Sequence, residues 1–311
     1  YLCTGGRAVK RVTEADFDWE QYKKNLKQAA ALKAVCEEKG IGFYAMLIPT
    51  AAYVYEDELP NNAMRFDEDR AFAEAKDALG VRLIDLREEL RTAAKDGSAA
   101  RESADGGVFF RTDHHWSGYG AYLGYAGFLR ARAEASLSDK ASGGVMIPAA
   151  PYAELAPAVL SDDFYGTLYS KVLLDTLSAD TIETPSAALN RNCRVKFSGK
   201  TYDSLYFKEY LKKKDKYAVY FGGNYDKVDI ATCRDTKCGV KDKILIIKDS
   251  FANSFVPYLM DDYDEITMID TRYYRGNVTE LAQDYNEVLV LYGIDNFAGE
   301  KMKLSGGSLL Q

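Results

Sequence analysis

Histidine is scarce in this sequence: 311 residues hold two, His114 and His115, side by side behind Asp113. A histidine-rich metal centre is therefore excluded. None of the five cysteines (Cys3, Cys36, Cys193, Cys233, Cys238) has a zinc-finger spacing with a companion histidine. Cys233 and Cys238 flank Arg-Asp-Thr-Lys and fit either a hairpin bridge outside the cell or free thiols. Positive charge is also in deficit: 40 Lys and Arg against 47 Asp and Glu give a net charge of −7. Without a basic stripe to neutralise phosphates, nucleic acid is not expected as a partner. The one basic cluster, Lys212, Lys213 and Lys214, reads as a solvated face. No apolar run approaches the roughly 18 residues that a membrane helix needs. Nucleotide-binding motifs are missing too, and no cofactor is expected. The first residue is Tyr1, and a signal or anchor segment is expected to precede it.

What is present reads as one folded α/β domain over 1–311. Apolar residues make up 47% of the chain, with 23 Tyr and 14 Phe, enough to build a large core. Helices are expected over 14–39, 67–80, 87–97 and 278–285. The first two are closed by Gly40 and Gly80, the residue type that ends helices most readily. Short apolar runs at 41–49, 81–86, 243–249, 265–270 and 287–293 read as strands buried on both faces. Their alternation with helices predicts a parallel sheet in a three-layer α/β/α sandwich. Residues 142–238 are Tyr-rich, with β-prone pieces such as "RVKFSG" and "YAVYFGG", and read as an insertion or lobe on that body.

The stretch "VFFRTDHHWSGYGAY" (108–122) should be a strand, a turn and a helix N-capped by Ser117. Gly120, Gly124 and Gly127 share one face of that helix. Such a face costs about 1 kcal/mol per glycine relative to alanine, so close packing of the helix is expected. Thr112 to Trp116 would then lie at the carboxyl end of a strand, where active sites of open α/β sheets gather. Three readings of Asp-His-His compete. A metal site resembles the DHH phosphoesterases, but their further Asp motifs and C-terminal histidine segment are missing here. A satisfied structural pair is the second. The third is half of a Ser-His-Asp triad. Its nucleophile would be Ser250 in "ILIIKDSFANSF" (244–255), directly after an apolar strand. There, backbone N–H groups of a first helical turn can face an oxyanion. Serine needs a base and the base needs an orienting carboxylate. Asp113 and His115 would supply them, with His114 pointing elsewhere.

Asp-Ser at a strand end with an Asp-x-His partner resembles the SGNH (GDSL-like) hydrolases, with the order of the blocks reversed. That order is similar to the permuted SGNH-like proteins of polysaccharide O-acetylation, such as the alginate O-acetylation proteins with their Thr-Asp-x-His-Trp motif. The likeness is strongest to the bacterial DHHY-type family, in "RTDHHWSGYGAY", "IPTAAYVYEDELP", "DDFYGTLYSK", "IIKDSFANSFVPYL" and "IDTRYY". The resemblance implies a flavodoxin-like SGNH fold in permuted order. It also implies an extracytoplasmic serine acyltransferase or esterase acting on cell-surface polysaccharide or an acyl ester, often beside a membrane-bound O-acyltransferase. The implied catalytic residues are Ser250, His115 and Asp113. Oxyanion or substrate-binding candidates are the amide after Ser250, Asn253, Arg272, Tyr273 and Asn296, joined by His114 and Trp116 from the first motif. Asn224 in "FGGNY" reads as a turn near the pocket. The rival reading is a non-catalytic glycan-binding scaffold, which requires no Ser–His contact.

Overall fold

The computed structural model describes residues 1–97, 104, 107–138, 149–232 and 242–304; Cys233 and Cys238, read as either a hairpin bridge or free thiols, lie outside them. Strands β1 (Leu2–Cys3) and β2 (Arg7–Ala8) form an N-terminal ribbon. The body runs through α1 (Trp19–Glu38), β3 (Gly42–Ile48), α2 (Glu68–Leu79), β4 (Leu83–Asp85), α3 (Arg87–Lys95) and α4 (Gly118–Ser138). The middle region supplies β5 (Pro157–Phe164), β6 (Asp180–Pro185), β7 (Arg194–Phe197), β8 (Lys200–Tyr202) and β9 (Lys227–Ala231). The chain closes with β10 (Lys243–Lys248), α5 (Ala252–Phe255), β11 (Glu265–Ile269), α6 (Val278–Ala282), β12 (Glu287–Gly293) and α7 (Ile294–Gly299).

Eight strands make one sheet in the order β4-β3-β12-β10-β11-β9-β7-β8. The first five are mutually parallel. β9 joins β11 antiparallel, and β7 and β8 extend the edge antiparallel again. The sheet is therefore mixed rather than wholly parallel, because strands from the middle region complete one edge. Successive residues of β3 face opposite layers. Tyr44, Met46 and Ile48 pack with Leu90 of α3 and Phe128 of α4, while Phe43, Ala45 and Leu47 pack with Leu26 of α1 and Phe72 of α2. Burial on both faces is why these strands read as unbroken apolar runs. The expected three-layer α/β/α arrangement is observed.

Local departures have identifiable causes. Helix α1 starts at Trp19, not at 14, because the Asp18 carboxylate accepts the Gln21 N–H at 2.9 Å and caps the first turn. The "VFFR" segment is not a sheet strand. Its carbonyls are taken by the N-terminal ribbon: the Arg7 guanidinium donates to Phe109 O at 2.6 Å and Phe110 O at 3.1 Å, and the Ala8 N–H donates to Arg111 O at 2.8 Å. "YAVYFGG" is likewise a 3-10 turn (Lys216–Val219) with an isolated Tyr206–Tyr220 bridge, not a strand. The glycine face of α4 is packed as expected. A Cβ at Gly120 would lie 2.1 Å from Val108 O, one at Gly124 2.8 Å from the Trp116 ring, and one at Gly127 2.6 Å from Leu86. Gly120→Ala is accordingly expected to lower stability by about 1–3 kcal/mol despite the better helix propensity of alanine. A thermal unfolding midpoint equal to or above that of the parent would contradict this. Among the described residues no helix is long and apolar enough to cross a membrane.

Candidate active site

The loop 108–117 folds back on itself before entering α4. Phe110 N–H donates to His115 O at 3.1 Å and Ser117 N–H to Val108 O at 3.0 Å. The Ser117 hydroxyl caps α4 by accepting the Gly120 N–H at 3.2 Å. This places Asp113 and His115 over the carboxyl end of β10, where Asp249 and Ser250 leave the sheet. The Trp116 indole N–H pins the two loops together, reaching Phe251 O at 3.0 Å and Ser254 Oγ at 2.9 Å. Ser250 precedes α5 without capping it.

Asp113, His115 and Ser250 meet although 135 positions separate the last two. His115 Nδ1 lies 2.6 Å from Asp113 Oδ1, and His115 Nε2 lies 2.7 Å from Ser250 Oγ. A carboxylate only accepts, so the imidazole proton sits on Nδ1 and Nε2 is left to accept from the serine hydroxyl. The second carboxylate oxygen, Asp113 Oδ2, accepts the Thr167 N–H at 2.8 Å and the Thr167 hydroxyl at 2.9 Å. That approach requires Gly166: a Cβ there would sit 2.4 Å from Asp113 Oδ2. Burial of Asp113 works against its charge, but His115, His114 and the Thr167 N–H outweigh it and hold the carboxyl well below the usual range. Asp113 therefore stays ionised and able to orient the imidazole.

His114 does not point elsewhere, as the alternation of an extended chain suggests. The residues lie in a folded-back loop, and the His114 ring rests 3.9 Å from that of His115, tilted by 37°. Its Nδ1 is 3.0 Å from Thr167 Oγ1 and 3.4 Å from Asp113 Oδ1. Burial first, then the neighbouring His115, push it down to about 4, so it is neutral near pH 7.

The oxyanion and substrate candidates are dispersed. The amide after Ser250, Phe251 N–H, donates to Asp249 Oδ1 at 2.9 Å, whereas the Ser250 N–H has no partner among the described residues. Asn253 is buried, its amide oxygen accepting from Lys248 Nζ at 2.9 Å and its amide nitrogen donating to Asn224 Oδ1 at 3.3 Å. Lys248 also donates to Asn224 Oδ1 at 2.6 Å; burial lowers its pKa to about 8. Asn296 donates to Asp249 Oδ2 at 2.9 Å, beside the Gly293 N–H at 2.8 Å, and so fixes the loop of the nucleophile. Arg272 forks onto Asp270, with Nε 2.9 Å from Oδ1 and Nη2 2.5 Å from Oδ2, and Tyr273 is half exposed beside it. Sequence reasoning assigned no role to Thr167, Tyr217 or Asp249. The "DDFYGTLYSK" and "YAVYFGG" stretches that hold the first two lie far from the motifs they serve.

Residues 9–155 match the family model described as SGNH hydrolase-like domain, acetyltransferase AlgX. Among solved structures, Bacillus cereus PatB1 with a sulfonyl adduct superposes with a TM-score of 0.72 at 20% identity, covering 98% of this chain and 99% of that one. A DHHW family protein from Eubacterium siraeum gives 0.68 at 20% identity over 96% and 93%. The O-acetyltransferase domain of Pseudomonas putida AlgJ gives 0.51 at 13% identity over 100% and 95%. No curated protein sequence matches. Residues 9–155 are thus similar to the SGNH hydrolase-like domain of the acetyltransferase AlgX, and the fold shared with the solved structures extends over nearly the whole chain, in keeping with the resemblance of its motifs.

Proposed function

We propose that the protein is a serine-dependent O-acetyltransferase or carbohydrate esterase that acts outside the cytoplasm on a cell-surface polysaccharide. One observation carries this reading: the unbroken chain from Asp113 Oδ1 through His115 to Ser250 Oγ, with contacts of 2.6 and 2.7 Å. His115 Nε2 takes the hydroxyl proton as Ser250 Oγ bonds to the acyl carbonyl carbon, and the carbonyl electrons move onto oxygen. The Ser250 N–H is suited to receive that oxyanion. As the tetrahedral state collapses, the leaving alcohol takes the proton from His115 and an acyl-serine remains. A sugar hydroxyl or water then repeats the steps in reverse. The non-catalytic scaffold gives no reason for a Ser–His contact of this geometry.

The resemblance to the alginate O-acetylation proteins supports the location, the glycan substrate and a membrane-bound acyltransferase as partner. A cavity of about 360 Å3 next to Asp113 supports a sugar as well. Its lining, mostly apolar, includes Tyr165, Ser170, Lys171 and Lys214. A second reading has its own observation: ligand atoms of Asp113, His114 and His115 lie within 4.8 Å of one another. One experiment separates the two. Incubation with an activated acetyl ester should leave an acetyl group on Ser250, seen by peptide mass spectrometry, and a chelator should leave turnover unchanged. Activity lost to chelator and restored by zinc or manganese would favour the metal reading.

A further inference from the structure

The middle region touches the site through a residue that neither catalytic motif contains. Tyr217 lies on the 3-10 turn Lys216–Val219 and is buried. Its ring stacks on His115, with centroids 4.0 Å apart and planes 10° from parallel. The His114 ring lies 3.9 Å from His115, and Phe251 meets it edge-on at 5.2 Å. The Tyr217 hydroxyl donates to Ser250 O at 3.0 Å and lies 3.1 Å from Ser254 Oγ. Its single proton goes to the carbonyl, so the Ser254 hydroxyl donates to the phenol oxygen. Ser254 Oγ in turn accepts the Trp116 indole N–H at 2.9 Å. A directed chain thus runs from Trp116 through Ser254 and Tyr217 to the backbone of Ser250, and such chains reinforce each member.

We propose that Tyr217 is a positioning residue that holds the base and the nucleophile in register, its ring face fixing the plane of His115 and its hydroxyl fixing the carbonyl of Ser250. This rests on the reading of those two residues as base and nucleophile. The imidazole hangs on two rotatable bonds, and its Nδ1–Asp113 contact alone leaves rotation about that axis open. A flat ring on its face closes that freedom. The same ring offers its negative face to the imidazolium that forms during reaction. The tether to Ser250 O restrains the backbone torsion that aims Oγ. Burial pushes the Tyr217 phenol up, so it remains a donor throughout the neutral range.

Two histidines make the test direct, because His114→Gln assigns both imidazoles in a histidine-selective 15N NMR spectrum of the full chain. The parent and Tyr217→Phe should show the low-field Nδ1 proton of His115 bound to Asp113. Tyr217→Leu and Tyr217→Met should lose it to exchange while circular dichroism reports a folded protein. With a neutral acetyl-ester probe, kcat should fall about tenfold in Tyr217→Phe through the lost hydroxyl tether. In the ring-less variants it should fall about a hundredfold or more through misplacement. KM should stay within about threefold of the parent in each, since Tyr217 acts through its neighbours rather than on the substrate. A ring-less variant that keeps the low-field proton, or a Phe variant with the parent kcat, overturns the proposal. A Ser250→Ala variant that still turns over the ester defeats the catalytic reading instead, and the NMR arm then decides by itself whether Tyr217 locks the imidazole.

Discussion

Ser250→Ala abolishes turnover of an acetyl-ester probe and leaves the fold in place. Both halves of this expected result follow from where the hydroxyl sits. Among the described residues Ser250 Oγ has one partner, His115 Nε2, and Ser250 is only partly buried at the end of β10. Its removal leaves the buried His115 Nε2 without that partner, so a stability loss of about 1–2 kcal/mol is expected, too small to unfold the protein. The rate should fall by roughly 10⁴–10⁶, the range lost when a covalent nucleophile is deleted. Triad members act as a unit, so Ser250→Ala combined with His115→Ala should cost little more than either alone. The measurements are kcat/KM on the probe, the midpoint of thermal unfolding, and the mass of the Ser250 peptide after exposure to the ester. Retained turnover in a folded Ser250→Ala protein sinks the covalent mechanism.

The sequence made the sheet legible where burial is two-sided. β3, β10, β11 and β12 are apolar on both faces, so their runs stand out and their boundaries fall within one or two residues of expectation. The glycine face of α4 was legible for a related reason: three glycines at helical spacing make sense only where backbone and side chains come closer than a Cβ allows. The "VFFR" and "YAVYFGG" segments were not legible. Their backbone groups are satisfied by Arg7, by the ribbon or by local turns, and local β propensity cannot anticipate a partner a hundred residues away. At the site, Ser250 was visible after an apolar strand, and Asp113 and His115 as an Asp-x-His pair before a helix, although the segment preceding that pair is not a strand. The supporting set was not. Asn296 and Asn253 look like oxyanion donors in sequence, yet one braces Asp249 and the other closes a buried pair of contacts with Lys248 and Asn224. Thr167 lies in "DDFYGTLYSK", which carries a family likeness but no sign of a role, Tyr217 lies in "YAVYFGG", and only the fold of the middle region brings them to Asp113 and His115.

The second large effect separates the two histidines. His115→Ala is expected to cost a factor of roughly 10⁴ or more in kcat, because among the described residues it removes the one nitrogen that reaches Ser250 Oγ. His114→Ala should cost about tenfold. Its ring supports one face of His115 and its Nδ1 contacts Thr167 Oγ1, but Asp113 keeps both Thr167 contacts without it. The charge state of His114 points the same way. Held down to about 4 by burial and by His115, it is neutral from pH 5 upward and neither gains nor loses a proton across the working range. The pH–rate profile of His114→Ala between pH 5 and 8 should therefore keep the shape of the parent's and differ only in height. Both variants can be checked for folding by circular dichroism before their rates on the same acetyl-ester probe are compared. If His114→Ala proves the more damaging change, or if it alters the profile in that window, the base is His114, and the 2.7 Å contact between His115 and Ser250 is structural.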